Sequence, residues 1–443
     1  RGLCVEKKLP GAEPVYMRYD KTRTLVFTQD GNQRERGVWA FTLHDRMNRP
    51  TLQGEWATAD VPDIEDMVLR TRQDVPASAL ELGGGLGTGH QLPGGTLDLP
   101  DDGTVSLRTV NYYDDYSFRR LAGFGGLGAF DDNGRLGTDA KGLRTGGRYA
   151  TDGLITRPCF DALFYDEEGR TVETRRTNHT GTGVDTELTS YSITGKPLAR
   201  VRTHWTANQG MITERNYYAY DALDRPAEHR HKVRPDELVL AANTYDELGR
   251  LAKTVKPAET VTYGYDLQGR ITAIDGKLNQ NLQYDYVGNI KAMKWSRKGF
   301  QKGYSSVTWD YTYDALDRLT EARAKAWPAM QVAGRQREDC WEYTCGGYDH
   351  NGNMREVQLK QYQNVNGIPQ TPVYNVREMG YIGNRLRTLA RRDTPDRPAG
   401  VMLPTLCEYD GNGNMVKDLT RNISHIEYNP LNLPTEVTLE NNG

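Results

Sequence analysis

The sequence predicts an all-β protein: repetitive antiparallel β-hairpins forming one long curved or spiralling sheet. Three observations predict it. A Tyr-Asp dipeptide recurs along the chain, each time with Gly, Asn or Asp four residues after the tyrosine. Tyrosine outnumbers phenylalanine 26 to 8, and there are 46 glycines in 443 residues. Mean hydropathy is −0.73 with 37% hydrophobic residues, too polar for a thick core. Tyrosine has a ring that packs and a hydroxyl that wants a partner, which suits a thin sheet with a wet face. Abundant glycine suits many tight turns.

The repeating unit is read from its eight clear copies. They are Tyr165-Asp166 with Gly169-Arg170, Tyr220-Asp221 with Asp224-Arg225, Tyr245-Asp246 with Gly249-Arg250, and Tyr265-Asp266 with Gly269-Arg270. Tyr284-Asp285 with Gly288-Asn289, Tyr313-Asp314 with Asp317-Arg318, Tyr348-Asp349 with Gly352-Asn353, and Tyr409-Asp410 with Gly413-Asn414 complete the series. Degenerate copies stand at Tyr191, Tyr381 and Tyr428. Tyr closes one strand, where aromatics are favoured. Asp opens the turn by accepting backbone N–H groups. The residue four after Tyr takes positive φ, which Gly, Asn and Asp tolerate best. Arg or Asn then leads into a partly alternating strand such as Arg250-Leu-Ala-Lys-Thr-Val255. A lone hairpin is marginal in water, so neighbours must stack side by side into a continuous sheet.

Three regions follow. Residues 1–60 are a degenerate array, including Trp39 to Pro50, where His44 stands in the tyrosine position. Residues 61–150 are a connecting region. It holds a helix candidate at 61–70 with acids in its first turn, and Gly-rich loops at 83–95 and 123–147. Residues 151–437 are the regular array. The chain opens on charged Arg1–Pro10 without an initiator Met and stops in strand-like sequence at 435–439. An unpaired sheet edge is a liability. The expectation is therefore a processed form or fragment, with more chain following.

Candidate chemistry is sparse. Net charge is −3, from 56 basic and 59 acidic residues, which gives no drive toward nucleic acid. No apolar run approaches the about 20 residues of a membrane helix. Five dispersed cysteines and eight scattered histidines complete no zinc site. His229 and His231 share a strand face and are expected to face solvent. Gly123-Phe-Gly-Gly-Leu-Gly128 matches G-x-G-x-x-G but lies in no βαβ unit and reads as a flexible loop. Asp410-Gly-Asn412-Gly-Asn414 imitates the start of a calcium loop, but Met415 and Arg421 stand where an EF-hand needs Gly and Glu. The repeat aspartates sit one per turn, whereas acid–base catalysis needs two carboxyls in different environments at one place. No catalytic residue, cofactor site or metal site is expected. Tyr and Arg side by side suit sugars or peptides, against which stands packing of Tyr in cross-strand ladders.

The motif Tyr245-Asp-Glu-Leu-Gly-Arg-Leu251, recurring about eight times, resembles the core motif of the bacterial RHS/YD-repeat family. The resemblance covers residues 160–434 clearly and the amino-terminal third loosely. It implies a hollow spiral shell, part of a cocoon that in many members encloses a carboxy-terminal toxin. About 26 strands at ~4.8 Å make a sheet of roughly 125 Å, which bent into one loop leaves a lumen of roughly 15 Å radius. The chain is thus expected to form a curved wall or one turn of a spiral, too small to enclose a cargo alone. The family's carboxy-terminal core with its aspartate self-cleavage motif is not found in this sequence. The resemblance implies a non-enzymatic shell segment of a secreted or surface protein, with the rest of its own polypeptide, core and effector, as partner. The alternative is a cell-surface adhesion or carbohydrate-binding scaffold with surface glycans as partners. Neither implies nucleic-acid binding or a membrane span in this segment.

Overall fold

The structure is a computed structural model. It describes residues 2–61, 63–73, 90–91, 104–128, 140–151, 154–178, 183–206, 210–233, 237–297, 306–332, 335–361, 364–365, 368–369, 373–392 and 407–440. The expected Gly-rich loop at 83–95 lies almost wholly outside these residues, as does the side chain of Cys340.

Twenty-five strands form one open antiparallel sheet, from Glu6–Lys7 to Arg385–Arg392. Each strand pairs with the next in the chain. Two excursions are skipped: one lies between Pro50–Ala57 and Val105–Asp114, the other between Glu356–Gln361 and Val373–Ile382. Four further strands, Cys407–Tyr409 to Pro434–Leu439, continue the series. In such a meander alternate connections fall on opposite rims. Every signature turn, from Asp20 to Asn429, therefore lies on one rim. Connections of more variable length lie on the other.

The layer is one sheet thick over most of its length. The chain exposes 26885 Å², where a compact 50.0 kDa monomer would expose about 17,000 Å². Among the described residues the most extensive core lies in the first 184 residues. Phe27, Phe41, Leu52, Val110, Tyr112 and Phe164 share one face of the sheet there. Two 3-10 turns, Ser117–Arg120 and Phe124–Leu127, lay Phe118, Leu121, Phe124 and Leu127 across it. Phe118 stacks on Tyr112 at 4.7 Å, and Phe124 meets Phe160 edge-on at 4.9 Å.

Two expectations are corrected in this region. The described residues of the 61–70 segment form no helix. The Tyr19-Asp20 turn captures them instead: Lys21 N–H bonds the Met67 carbonyl at 2.8 Å, and Arg70 pairs with buried Asp20 at 2.6 Å, seating Ile64 and Leu69 in the core. The Gly123–Gly128 segment is a packed turn rather than a flexible loop. Gly123 has φ +94°, and a Cβ there would lie 2.0 Å from the Phe160 ring. The connecting region also contributes the long strands Val105–Asp114 and Ala140–Thr151 to the main sheet.

The sheet returns on itself through turns rather than strands. Helix Gly31–Glu35 on the variable rim is opened by a capping box, in which Asp30 Oδ1 accepts from Gln33 N–H and Gln33 Oε1 from Asp30 N–H. Against it sits the late signature turn at 410–414, and the two elements meet through the same tripeptide, Asp-Gly-Asn. Asn32 N–H donates to Asn412 Oδ1 and Asn412 N–H to Asn32 Oδ1, both at 3.2 Å. Asn32 Nδ2 donates to Asp410 at 2.8 Å, and Asn412 Nδ2 to Asp30 at 3.1 Å. Gly31 and Gly411 face each other so closely that a Cβ on Gly31 would lie 2.6 Å from the Gly411 carbonyl oxygen. Glu13 N–H also bonds that oxygen at 2.9 Å. Beside this seam the connection at Gly11, between the first two strands, packs on Arg385, the residue that follows the turn between strands 24 and 25. One coil therefore takes 23 strands. At ~4.8 Å each that is about 110 Å of circumference, a radius of roughly 17 Å and a lumen of roughly 12 Å radius.

A side chain on Gly31 or Gly411 forces the seam apart, and overpacking of this kind costs about 1–3 kcal/mol. We expect Gly31→Val to raise the radius of gyration in X-ray scattering while circular dichroism keeps its β-sheet signal. An unchanged radius would show that the coil does not depend on this contact.

Candidate functional site

The signature rim is built from one local unit. In the Tyr245 copy, Asp246 N–H bonds the Arg250 carbonyl and Gly249 N–H the Asp246 carbonyl, both at 2.9 Å. Gly249 has φ +82°. This is a turn closed by a glycine bulge, with Tyr245 paired to Leu251 across the register shift. The carboxylate does the rest. Asp246 Oδ1 accepts from the N–H groups of Leu248 and Arg250, and Oδ2 from Arg250 Nε at 2.7 Å. Asp166, Asp221, Asp266 and Asp314 hold Arg170, Arg225, Arg270 and Arg318 in the same way, each with a 2.7 Å Nε bond. Asp349 and Asp410 hold Asn353 and Asn414 at 2.8 and 2.9 Å. Gly169, Gly269, Gly288, Gly352 and Gly413 take positive φ, and Asp224 and Asp317 do so in glycine's place.

Each unit also reaches the next. The hydroxyl of Tyr265 donates to the Leu251 carbonyl, the first residue after the preceding arginine, at 2.8 Å. Tyr220, Tyr245, Tyr284, Tyr313, Tyr348, Tyr409 and Tyr428 make the same step back. The arginine of one unit lies over the tyrosine ring of the next: Arg225 on Tyr245 at 4.2 Å, Arg250 on Tyr265 at 4.7 Å, Arg270 on Tyr284 at 4.6 Å and Arg318 on Tyr348 at 4.5 Å. Tyr165 instead donates to the Arg144 carbonyl. Tyr245, Tyr265, Tyr284 and Tyr348 are thus held on ring and hydroxyl together, in cross-strand packing.

One unit was missed in the sequence, and a second was read with His44 in the tyrosine position. Tyr19-Asp20 has the same wiring, with Asp20 N–H on Thr24 and Arg23 N–H on Asp20; the dipeptide itself was the signal, obscured by Arg23 in the glycine position at φ +65°. The His44 unit closes identically, and its Arg49 bonds Asp45 at 2.7 Å and clamps Asp114 with two bonds. Arg49 covers the Tyr113 ring at 4.3 Å, which extends the lattice into the connecting region.

Electrostatics follow the wiring. Asp221 is held below its ordinary value by the Arg225 side chain and backbone N–H. For Asp246 and Asp266 partial desolvation works the other way, yet the arginine and backbone bonds prevail and lower both. Among the described residues no three His, Cys, Asp or Glu side chains group to hold a metal. His229 and His231 are half-buried rather than solvent-facing, both within hydrogen-bond reach of Asn216 Oδ1, at 2.9 and 3.0 Å. Asp185 holds His204 at 2.6 Å and Arg202 at 3.1 Å beside a charge-mixed hollow of about 240 Å³. A larger hollow, about 630 Å³, opens on the signature rim among Tyr284, Tyr286, Tyr311 and Tyr313.

Hairpin after hairpin tied by one turn motif defines a β-hairpin repeat protein. The family model described as RHS Repeat matches residues 245–277, the Tyr245 and Tyr265 units. In these two units the chain is thus similar to RHS-type repeats. No curated protein matches the sequence. Among solved structures, a porin-like protein from Bacteroides uniformis ATCC 8492 is similar over 49% of this chain and 94% of that chain, at 10% identity and TM-score 0.17, too slight to bear on function.

Two outcomes follow from this wiring. Tyr265→Phe removes one hydrogen bond to a carbonyl that water can still reach, and we expect a loss of about 0.5–1.5 kcal/mol in denaturant unfolding. Tyr286→Phe, whose side chain is fully exposed, serves as the control and should lose nothing measurable. The lowered aspartates stabilise the fold above the ordinary carboxylate range, and this support is lost as pH falls through their depressed folded values. We expect the melting temperature to hold from pH 7 to about 5 and to drop below pH 4; a flat profile down to pH 2 would show that the turn carboxylates carry no stability.

Proposed function

We propose that this chain is a shell segment of a larger RHS/YD-repeat protein, enclosing a carboxy-terminal toxin or effector and helping deliver it outside the cell. The observation that carries the reading is the seam: a one-layer wall that completes a coil and begins to stack its signature rim on its own variable rim. Such a wall has an inside, and further coils lengthen it without new chemistry. Turn tips at Ile193, Leu223, Leu248, Leu267 and Leu316 are exposed and apolar, a row that a neighbouring coil would cover.

Size sets the role of this segment. A 100-residue domain has a radius of gyration of about 13 Å, hence an outer radius near 17 Å. The single-coil lumen of roughly 12 Å is narrower, so this segment admits extended chain and leaves a folded cargo to additional coils. The repeat aspartates share one turn environment, each with an arginine or asparagine four residues on, which supports a structural rather than an enzymatic role. Partners in this reading are the remaining polypeptide and its effector, and the location is secreted or cell-surface. The tyrosine-lined hollow of about 630 Å³ favours the second reading, a cell-surface scaffold for adhesion or glycans.

Limited proteolysis separates the two. The array is expressed with the polypeptide encoded beyond Gly443, and the downstream part is followed by mass spectrometry. A shell protects it until the array is unfolded or cut. Equal digestion with and without the array would overturn the shell reading and leave the scaffold.

A further inference from the structure

The repeat lattice contains its own control for a binding site. Arginine guanidinium groups lie over Tyr113, Tyr191, Tyr245, Tyr265, Tyr284, Tyr348 and Tyr409. Where the covering arginine belongs to a full Asp-to-Arg unit, its Nε rests on the unit's own Asp Oδ2. In two of them a terminal nitrogen also reaches the next aspartate's main-chain oxygen, Arg250 to Asp266 at 3.2 Å and Arg270 to Asp285 at 3.5 Å.

Before Tyr313 the pattern breaks. The residue in the arginine position is Asn289, whose short side chain leaves the ring and donates to Asp317 Oδ1 at 2.8 Å. Asn353 and Asn414 fold back on Asp349 and Asp410 instead. Over Tyr313 the missing guanidinium leaves the hollow of about 630 Å³, lined also by Tyr311, Tyr286, Asp285 and Asp314. Its bordering cation Arg270 is engaged by Asp266 at 2.7 Å, and Asp314 is engaged by Arg318 at 2.7 Å. Lys291 is the other cation at the edge. Asp285, like Asp349 and Asp410, belongs to a unit with no arginine. Its Oδ1 accepts the backbone N–H groups of Val287, Gly288 and Asn289, where a sibling such as Asp246 takes two, from Leu248 and Arg250.

We propose that this hollow is a recognition slot for a guanidinium group from outside the fold, seated on the Tyr313 ring with its N–H groups toward Asp285. The sibling units show both the occupant and its pose. Tyr286 at the turn tip adds a second, fully exposed ring. The group is carried either by a small guanidinium compound or by an arginine in an extended peptide. This inference stands independently of the shell reading.

The test uses the whole chain at low ionic strength, by calorimetry and ligand-observed NMR. The probes are N-acetylarginine amide, a Gly-Gly-Arg-Gly-Gly peptide and its citrulline and lysine counterparts. A single cation on an open aromatic face binds weakly, so we expect a dissociation constant on the order of millimolar for the small probe. Tighter binding of the peptide assigns the peptide source, and equal binding assigns the small compound. Citrulline, isosteric and uncharged, should bind at least tenfold more weakly. Asn289→Arg restores the sibling unit and fills the slot from within. It should lose binding at least tenfold while the melting temperature is kept or raised. Asp285→Asn should also weaken binding at unchanged fold. Citrulline or lysine peptides binding as well as arginine, or binding undiminished in Asn289→Arg, would overturn the assignment.

Discussion

In a single-layer sheet a strand has neighbours to its left and right and nothing packed above or below. Burial, the dominant stabilising term in most folds, is scarce there. The array after residue 184 buries few apolar side chains, Val261, Val307, Ala322 and Ala324 among them. What replaces burial is the turn aspartate. One carboxylate closes its own turn through two backbone N–H groups and fixes an arginine through its second oxygen. The arginine then covers the next tyrosine, whose hydroxyl returns to the strand just left. Each link is worth little alone. Its value comes from repetition, since each unit stabilises the next as in other linear arrays.

The amino-terminal region works by a different principle. Its aromatic cluster is a packed core, and charged side chains there are paired, as with Arg144 and Asp161 at 2.9 Å. It supplies a rigid start on which a thin, extensible wall is built. The same region offers the capped helix against which the late turn docks, so the best-packed part of the chain also receives the returning coil. Two facing Asp-Gly-Asn segments fit because both glycines lack a Cβ and both asparagines can donate and accept.

A motif repeated with small departures places function in the departures. The regular units are mutually saturated: ring, hydroxyl, carboxylate and guanidinium all have partners within the lattice. Binding capacity therefore concentrates where a unit is incomplete, as at Asn289. The exposed apolar tips are the other unsatisfied feature, and their row along one rim matches the way the rims meet at the seam.

The turn unit was legible in the sequence because it is local. Its bonds join residues two and four apart, so Tyr, Asp, Gly and Arg carry their roles in their spacing. The all-β class and the hairpin array follow from that. Tyr19-Asp20 escaped because tertiary support lets Arg23 occupy a left-handed conformation that spacing alone assigns to glycine. The expected helix at 61–70 failed because partners distant in sequence, Lys21 and Asp20, bond that segment in another shape. The number of strands per coil, the seam between residues 380 apart in sequence, and the open ring of Tyr313 were decided by tertiary structure. They depend on accumulated twist and on which side chains meet across the sheet, and neither is written in any one repeat.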